Sequence, residues 1–178
     1  MISLINRKLS KLFCCTILLL CMLTGFVIVH GTEDASDMAT RYQLKEYVDN
    51  SKSLKQMQYR LHLPDNYDES IAYPLVIFFG GAGQNVAGQI DENENEDSNK
   101  YIDSSLLENG NDKKYPCIIL VPLLPVDYYW VDNFFGDVSP GMDMVMGIID
   151  SICHEYSVDQ RKIYLTGLCF GANGTWDA

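Results

Sequence analysis

Lys162-Ile163-Tyr164-Leu165-Thr166-Gly167-Leu168-Cys169-Phe170-Gly171-Ala172-Asn173-Gly174-Thr175-Trp176-Asp177 is the stretch on which the reading of this chain turns. A short apolar strand runs into a glycine-flanked turn, and the turn opens a helix. The spacing Gly167-Leu168-Cys169-Phe170-Gly171 is that of a nucleophile elbow, G-x-S-x-G. In such an elbow the reactive side chain sits on a sharp strand-to-helix turn, and small residues two places either side let neighbouring backbone pass close to it. Cys169 stands where serine is expected.

Upstream of the elbow, Met142, Val145, Ile149, Ile152 and Tyr156 recur every three or four residues from Gly141, which predicts a helix with one apolar stripe. Met142, Met144 and Met146 are read as core or helix filler, and His154 falls off the stripe. Ser157-Val158-Asp159-Gln160 is expected to end the helix, with the elbow strand beginning at Arg161-Lys162-Ile163. Before the helix lies a loop rich in aromatics, Tyr128, Tyr129, Trp130, Phe134 and Phe135. It follows a buried strand, Cys117 to Pro122, entered through Tyr115-Pro116.

Further back, Leu75-Val76-Ile77-Phe78-Phe79 is a continuous apolar run closed by Gly80-Gly81-Ala82-Gly83, the pattern of a buried parallel strand. Met57, Tyr59, Leu61 and Leu63 alternate with Gln58, Arg60 and His62, which predicts a half-buried strand with His62 on its solvated face. A short helix is expected from Tyr101 to Glu108, ended by Asn109-Gly110-Asn111. Asp91 to Lys100 holds no apolar residue and lacks the glycine and terminal carboxylate of a calcium loop, so it reads as a solvated loop. Strands alternating with helices give an α/β domain with a largely parallel sheet and flanking helices.

The first 31 residues carry Arg7, Lys8 and Lys11, no acidic residue, and an apolar run from Leu12 to Val29. They read as a secretory signal peptide cleaved near Gly31, with a retained membrane anchor as the alternative. The expected organisation is a leader at 1–31, a polar linker and lead-in segment at 32–56, and the α/β domain at 57–178. Removing the leader takes three of the 13 basic residues and none of the 24 acidic ones. So acidic a chain is not expected to bind nucleic acid, and it is expected to meet a membrane only if the leader is uncleaved. Cys117, Cys153 and Cys169 remain after the leader, an odd number that leaves at least one free thiol in an exported protein. None of them has zinc-ligand spacing with His30, His62 or His154, so neither a metal nor a cofactor is expected.

In a parallel sheet, ligands sit beyond the carboxyl ends of the strands, where both glycine-rich turns belong. An acyl-transfer site needs a nucleophile, a histidine base oriented by a carboxylate, and two backbone N–H groups for the oxyanion. Cys169 is the candidate nucleophile. Phe170 is the candidate for the first amide, and Gly81 or Ala82 for the second.

From about Tyr59 to Ala178 the chain resembles the α/β-hydrolase superfamily, specifically exported carboxylesterases related to polyhydroxybutyrate depolymerases and feruloyl esterases. The matching pieces are Tyr59-Arg60-Leu61-His62-Leu63-Pro64, Tyr73-Pro74 through Gly83, Tyr115-Pro116-Cys117, and Ile163-Tyr164-Leu165-Thr166-Gly167 through Gly174-Thr175-Trp176-Asp177. The resemblance implies hydrolysis of a small-molecule or polysaccharide-linked ester outside the cytoplasm, through an acyl-enzyme at residue 169, with Trp130 as a wall of the substrate cleft. Cysteine replaces serine at this place in the dienelactone hydrolases, a related branch, and a thiolate at a helix N-terminus is a good nucleophile. Gly80 stands where the resemblance puts the first histidine of an H-G-x-G loop. The triad acid and histidine would follow the elbow, so the sequence is expected to be the N-terminal part of the fold and inactive as it stands, with an apolar strand edge beside the elbow. A non-catalytic binding protein on the same fold, or a peptidase, are the alternatives.

Overall fold

In the computed structural model, which describes residues 41–81, 106–132 and 138–178, five strands form one mixed sheet in the order β1-β2-β4-β3-β5. The strands are β1 (Gln43–Val48), β2 (Gln56–His62), β3 (Tyr73–Phe79), β4 (Ile118–Leu123) and β5 (Val158–Gly167). β1 pairs antiparallel with β2, and β2 antiparallel with β4, whereas β3 runs parallel to both β4 and β5. The α/β class expected from the sequence is therefore present, with the parallel half of the sheet carrying β5 at its edge. The leader, Ala82, Gly83, Asp91 to Lys100, the start of the helix expected at Tyr101, and Phe134 and Phe135 lie outside the described residues.

Alternation decides which face each side chain takes. Leu75, Ile77 and Phe79 of β3 join Ile118 and Leu120 of β4 and Met57, Tyr59 and Leu61 of β2 in one core, covered by the helix α2 (Pro140–Glu155) through Met142, Met144, Val145, Ile148 and Ile152. Phe78, Ile119, Val121 and Leu123 face the other way and pack with Tyr42 and Leu107 in a second cluster. Burial on both faces is why β3 and β4 are continuous apolar runs. Of the three methionines read as core or helix filler, Met142 and Met144 enter the core, while Met146 lies on the helix half exposed.

The second cluster also corrects the reading of His62. It sits on the face expected to meet solvent, yet it is only 2% exposed, because Tyr42 covers that face with its ring 5.7 Å away. Two boundaries move as well. α2 stops at Glu155, and β5 starts at Val158 rather than Arg161, because Tyr73 N–H donates to the Ser157 carbonyl at 2.8 Å and Tyr73 pairs with Val158. Gly110, at φ 68°, separates a 3-10 turn (Glu108–Gly110) from α1 (Asn111–Lys114), so the Asn109-Gly110-Asn111 stop becomes a joint between two short helical pieces.

β1 falls within the lead-in segment that the sequence leaves without structure. Its exposure pattern shows no buried face. It is held by backbone pairing to β2 and by two side chains: Lys45 Nζ bridges to Glu155 at 2.8 Å, and Tyr47 occupies the space that a Cβ at Gly147 would take, 2.6 Å from its hydroxyl. A mid-helix glycine costs helix stability, and here it makes room for a ring.

Candidate active site

β3 and β5 end level with each other, Phe78 opposite Thr166 and Phe79 opposite Gly167, which brings the turns that follow them together. Beyond Gly167 the chain reverses sharply into α3 (Phe170–Asp177). Leu168 N–H donates to the Phe79 carbonyl at 3.2 Å, Gly171 N–H to the Leu168 carbonyl at 2.8 Å, and Ala172 N–H to the Cys169 carbonyl at 3.0 Å. Between them Cys169 is held at φ 53° and ψ −116°, exposed and free of any disulfide. A side chain in this region carries a conformational cost of about 1–3 kcal/mol.

Local packing shows why its neighbours are glycines. A Cβ at Gly171 would lie 2.0 Å from the Phe79 carbonyl oxygen and 2.8 Å from that of Gly80, and one at Gly167 would lie 2.4 Å from the Gly171 carbonyl oxygen. Since these obstacles are backbone, no rotamer change relieves them. Gly174 is a third case, because its missing Cβ would be 2.9 Å from Cβ of Trp130. The turns at Gly80 and Cys169 are therefore in direct contact, backbone on backbone.

Trp130 governs the first of those turns. It is completely buried, and its ring meets Phe79 edge-on at 4.9 Å. Its indole N–H donates to the Gly80 carbonyl at 3.1 Å. In a trans peptide the N–H points away from the carbonyl, so this bond sets the direction of Gly81 N–H. The expectation that Trp130 walls a substrate cleft is thus corrected: burial beneath the glycine turn leaves it no face to offer a ligand. Of the two candidates for the second oxyanion amide, Gly81 is buried next to this turn, while Ala82 lies outside the described residues. Phe170, the candidate for the first, opens α3 with its ring edge-on to Tyr129 at 5.8 Å.

Sequence reasoning missed Ser139, which holds this arrangement from below. Its hydroxyl donates to the Trp130 carbonyl at 2.7 Å and accepts Met142 N–H at 3.1 Å, capping α2. Ser-Pro just before an apolar helical stripe is a helix-start signal and was there to be read.

Neither described histidine approaches Cys169. His62 ends β2 opposite Ile119 near the start of β4, at the far end of the sheet, and its Nδ1–H donates to the Arg41 carbonyl at 3.2 Å. Burial pushes its pKa down, more than the bond to Arg41 raises it. His154 lies exposed near the end of α2, where its Nδ1–H donates to the Asp150 carbonyl at 2.7 Å. Burial pushes the thiols of Cys117 and Cys153 up, with Asp112 and Asp150 adding to it respectively. Among the described residues, no group of three His, Cys, Asp or Glu side chains could hold a metal ion, and no helix is long and apolar enough to cross a membrane.

No protein-family model matches the sequence, and no curated protein matches it significantly. Among solved structures, a thermostable esterase matches at 24% identity with a TM-score of 0.62, over 78% of this chain and 37% of that one. A poly(3-hydroxybutyrate) depolymerase from Bordetella parapertussis matches at 17% identity with a TM-score of 0.51, over 79% of this chain and 48% of its own. A ferulic acid esterase from Anaeromyces mucronatus aligns at 21% identity with a TM-score of 0.48, over 75% of this chain and 52% of its own. The chain thus spans about a third to a half of the length of these proteins. What it shares with the first two is the fold, of α/β-hydrolase type, with a mixed and open sheet.

Proposed function

We propose that this chain carries the nucleophile half of a carboxylic ester hydrolase site, with Cys169 as the attacking group in the position of an elbow nucleophile. One observation carries the reading: an exposed, non-glycine residue held at φ 53° between two glycines that cannot accept a Cβ. Residues kept in sparsely populated conformations concentrate at reactive positions, because only an over-determined surrounding keeps them there. The Cys169 sulfur attacks the ester carbonyl carbon, the carbon–oxygen bond to the alkoxy group breaks, and the acyl group stays as a thioester until water hydrolyses it. Phe170 N–H and Gly81 N–H are the donors assigned to the oxyanion, the second oriented by the Trp130 bond to Gly80.

A base must take the thiol proton and deliver it to the leaving alkoxide, and the positions of His62 and His154 suit neither step. Turnover by the 178-residue chain is therefore expected to be close to background, while the nucleophile position itself remains competent. Residues 1–31 belong to the same reading as an export signal, which places the substrate, a small-molecule or polysaccharide-linked ester, outside the cytoplasm.

The test is to incubate the protein with p-nitrophenyl acetate and locate the acetyl group by peptide mass spectrometry. Acylation at Cys169 ahead of Cys117 and Cys153, abolished by Cys169→Ala, is the expected result. Acylation spread evenly over the three thiols would sink the hydrolase reading and favour a non-catalytic binding protein on this fold.

A further inference from the structure

α3 has few side chains with which to hold its first turn in place. Gly171 and Gly174 admit the Phe79 and Gly80 carbonyls and the Trp130 side chain, but they bring no side chain of their own. Trp176, farther along the helix, is 90% exposed. Phe170 is the large α3 side chain that packs against the main core. The ring it meets edge-on, at 5.8 Å, is that of Tyr129.

Tyr129 is itself fixed on both sides. Before it, a tight turn with Asp127 at φ 70° is closed by Tyr128 N–H donating to the Pro125 carbonyl at 3.3 Å. A Cβ at Gly141 would lie 3.1 Å from the Tyr129 carbonyl oxygen, so the first turn of α2 abuts that peptide. After it comes Trp130, whose carbonyl accepts the Ser139 hydroxyl. Two adjacent residues of one braced loop therefore reach the two turns of the site: Trp130 through its bond to the Gly80 carbonyl, and Tyr129 through the ring of Phe170.

The Phe170 contact bears on the chemistry because of the amide that Phe170 carries. Of the first three N–H groups of α3, those of Gly171 and Ala172 donate to the Leu168 and Cys169 carbonyls, which leaves that of Phe170 for a ligand. Its direction is set by ψ of Cys169 and φ of Phe170. Cys169 lies in a sparsely populated region, where only its surroundings keep it. Side-chain rotamers are coupled to φ and ψ, so a ring held in place restrains the peptide before it. An edge-on aromatic pair stabilises by an amount comparable with the lower part of the cost of such a conformation, so its loss is large enough to matter.

We propose that Tyr129 is a positioning residue for acyl transfer: its ring holds Phe170, and with it the Phe170 N–H, in the direction that meets the oxyanion. This rests on Cys169 being the nucleophile.

The experiment compares two reactions at Cys169 in the full chain, each timed by peptide mass spectrometry. With p-nitrophenyl acetate the thiolate sulfur bonds to the carbonyl carbon, negative charge passes through the carbonyl oxygen, and p-nitrophenolate leaves. With iodoacetamide the sulfur displaces iodide from a methylene carbon, and no oxyanion forms. Tyr129→Ala should slow acetylation of Cys169 by about tenfold, less than the loss of a whole oxyanion donor, and leave alkylation unchanged. Tyr129→Phe keeps the ring and should keep the acetylation rate. Tyr129 is 56% exposed, so its truncation leaves the core intact, and the alkylation rate checks that the thiol is as accessible as before. Equal slowing of both reactions overturns the proposal, because the thiol and not the oxyanion donor is then affected. Unchanged acetylation in Tyr129→Ala overturns it too, as does Tyr129→Phe as slow as Tyr129→Ala, which gives the role to the hydroxyl. These three results leave the nucleophile reading intact so long as acetylation of the unmodified chain selects Cys169. Failure of that selection removes both.

Discussion

His62 shows what a single residue does when its surroundings contradict its position in the sequence. Buried as the neutral ring, it has a folded pKa below the ordinary histidine value of about 6.5. Between the folded and unfolded values the unfolded chain binds more protons, so stability rises with pH through that window and falls as pH drops below about 6.5. Asp112 titrates elsewhere. Burial opposes its ionisation, but the Arg41 hydrogen bond and charge outweigh this and hold it below the carboxylate range, so its contribution is lost only as pH falls below about 4. Urea unfolding at pH 7.5 and 5.5 should therefore show a loss of stability for the unmodified chain and a smaller one for His62→Gln. Equal losses in both proteins would mean that His62 is not the group responsible. Alternation within β2 located His62 correctly on a face. It could not show that Tyr42, from outside the strand, covers that face, since periodicity describes one element and burial depends on two.

Among the elements, the start of α2 has consequences beyond the helix. Ser139 caps it and also holds the Trp130 carbonyl, while the Trp130 indole holds the Gly80 carbonyl, so a helix cap and a glycine turn are joined through one buried ring. Ser139→Ala removes a cap and leaves the Trp130 carbonyl without its hydroxyl donor, and it should lower stability by about 1–2 kcal/mol, measured as a shift in the urea midpoint at unchanged slope. A shift below about 0.5 kcal/mol would show that water replaces the hydroxyl at no cost. The same level separates what was legible from what was not. β3 and β4, buried on both faces, announce themselves as apolar runs, and the stripe from Met142 to Ile152 announces α2. β1 does not, because Gln43–Val48 buries no regular face and is held by pairing, an ion pair and Tyr47. Trp130 was legible only as an aromatic residue in a loop, since no pattern marks a side chain that folds back beneath a distant turn.

For the whole molecule, the two tryptophans report on opposite conditions. Trp130 is wholly buried and Trp176, on the outer side of α3, is 90% exposed. Fluorescence should contain one component that iodide quenches readily and one that it barely reaches, and Trp176→Phe should leave only the second, at shorter wavelength. Emission that stays fully quenchable in Trp176→Phe would contradict the packing of Trp130 against Phe79 and Gly80. Exposure at Trp176 continues along the edge of the sheet, where Tyr164 and Leu168 are also half exposed. The strand order β1-β2-β4-β3-β5 bears on how a ribosome can deliver this sheet. β1 and β2 pair as soon as both emerge, but β3 has no partner then, for its place is on the far side of a strand still unmade. Its seven residues wait until Leu123 has been translated, and the stretch made in the interval includes Asp91 to Lys100, the most acidic run in the chain. A charged tether follows this apolar strand at the time when it is uncovered, and like charge disfavours association between nascent chains.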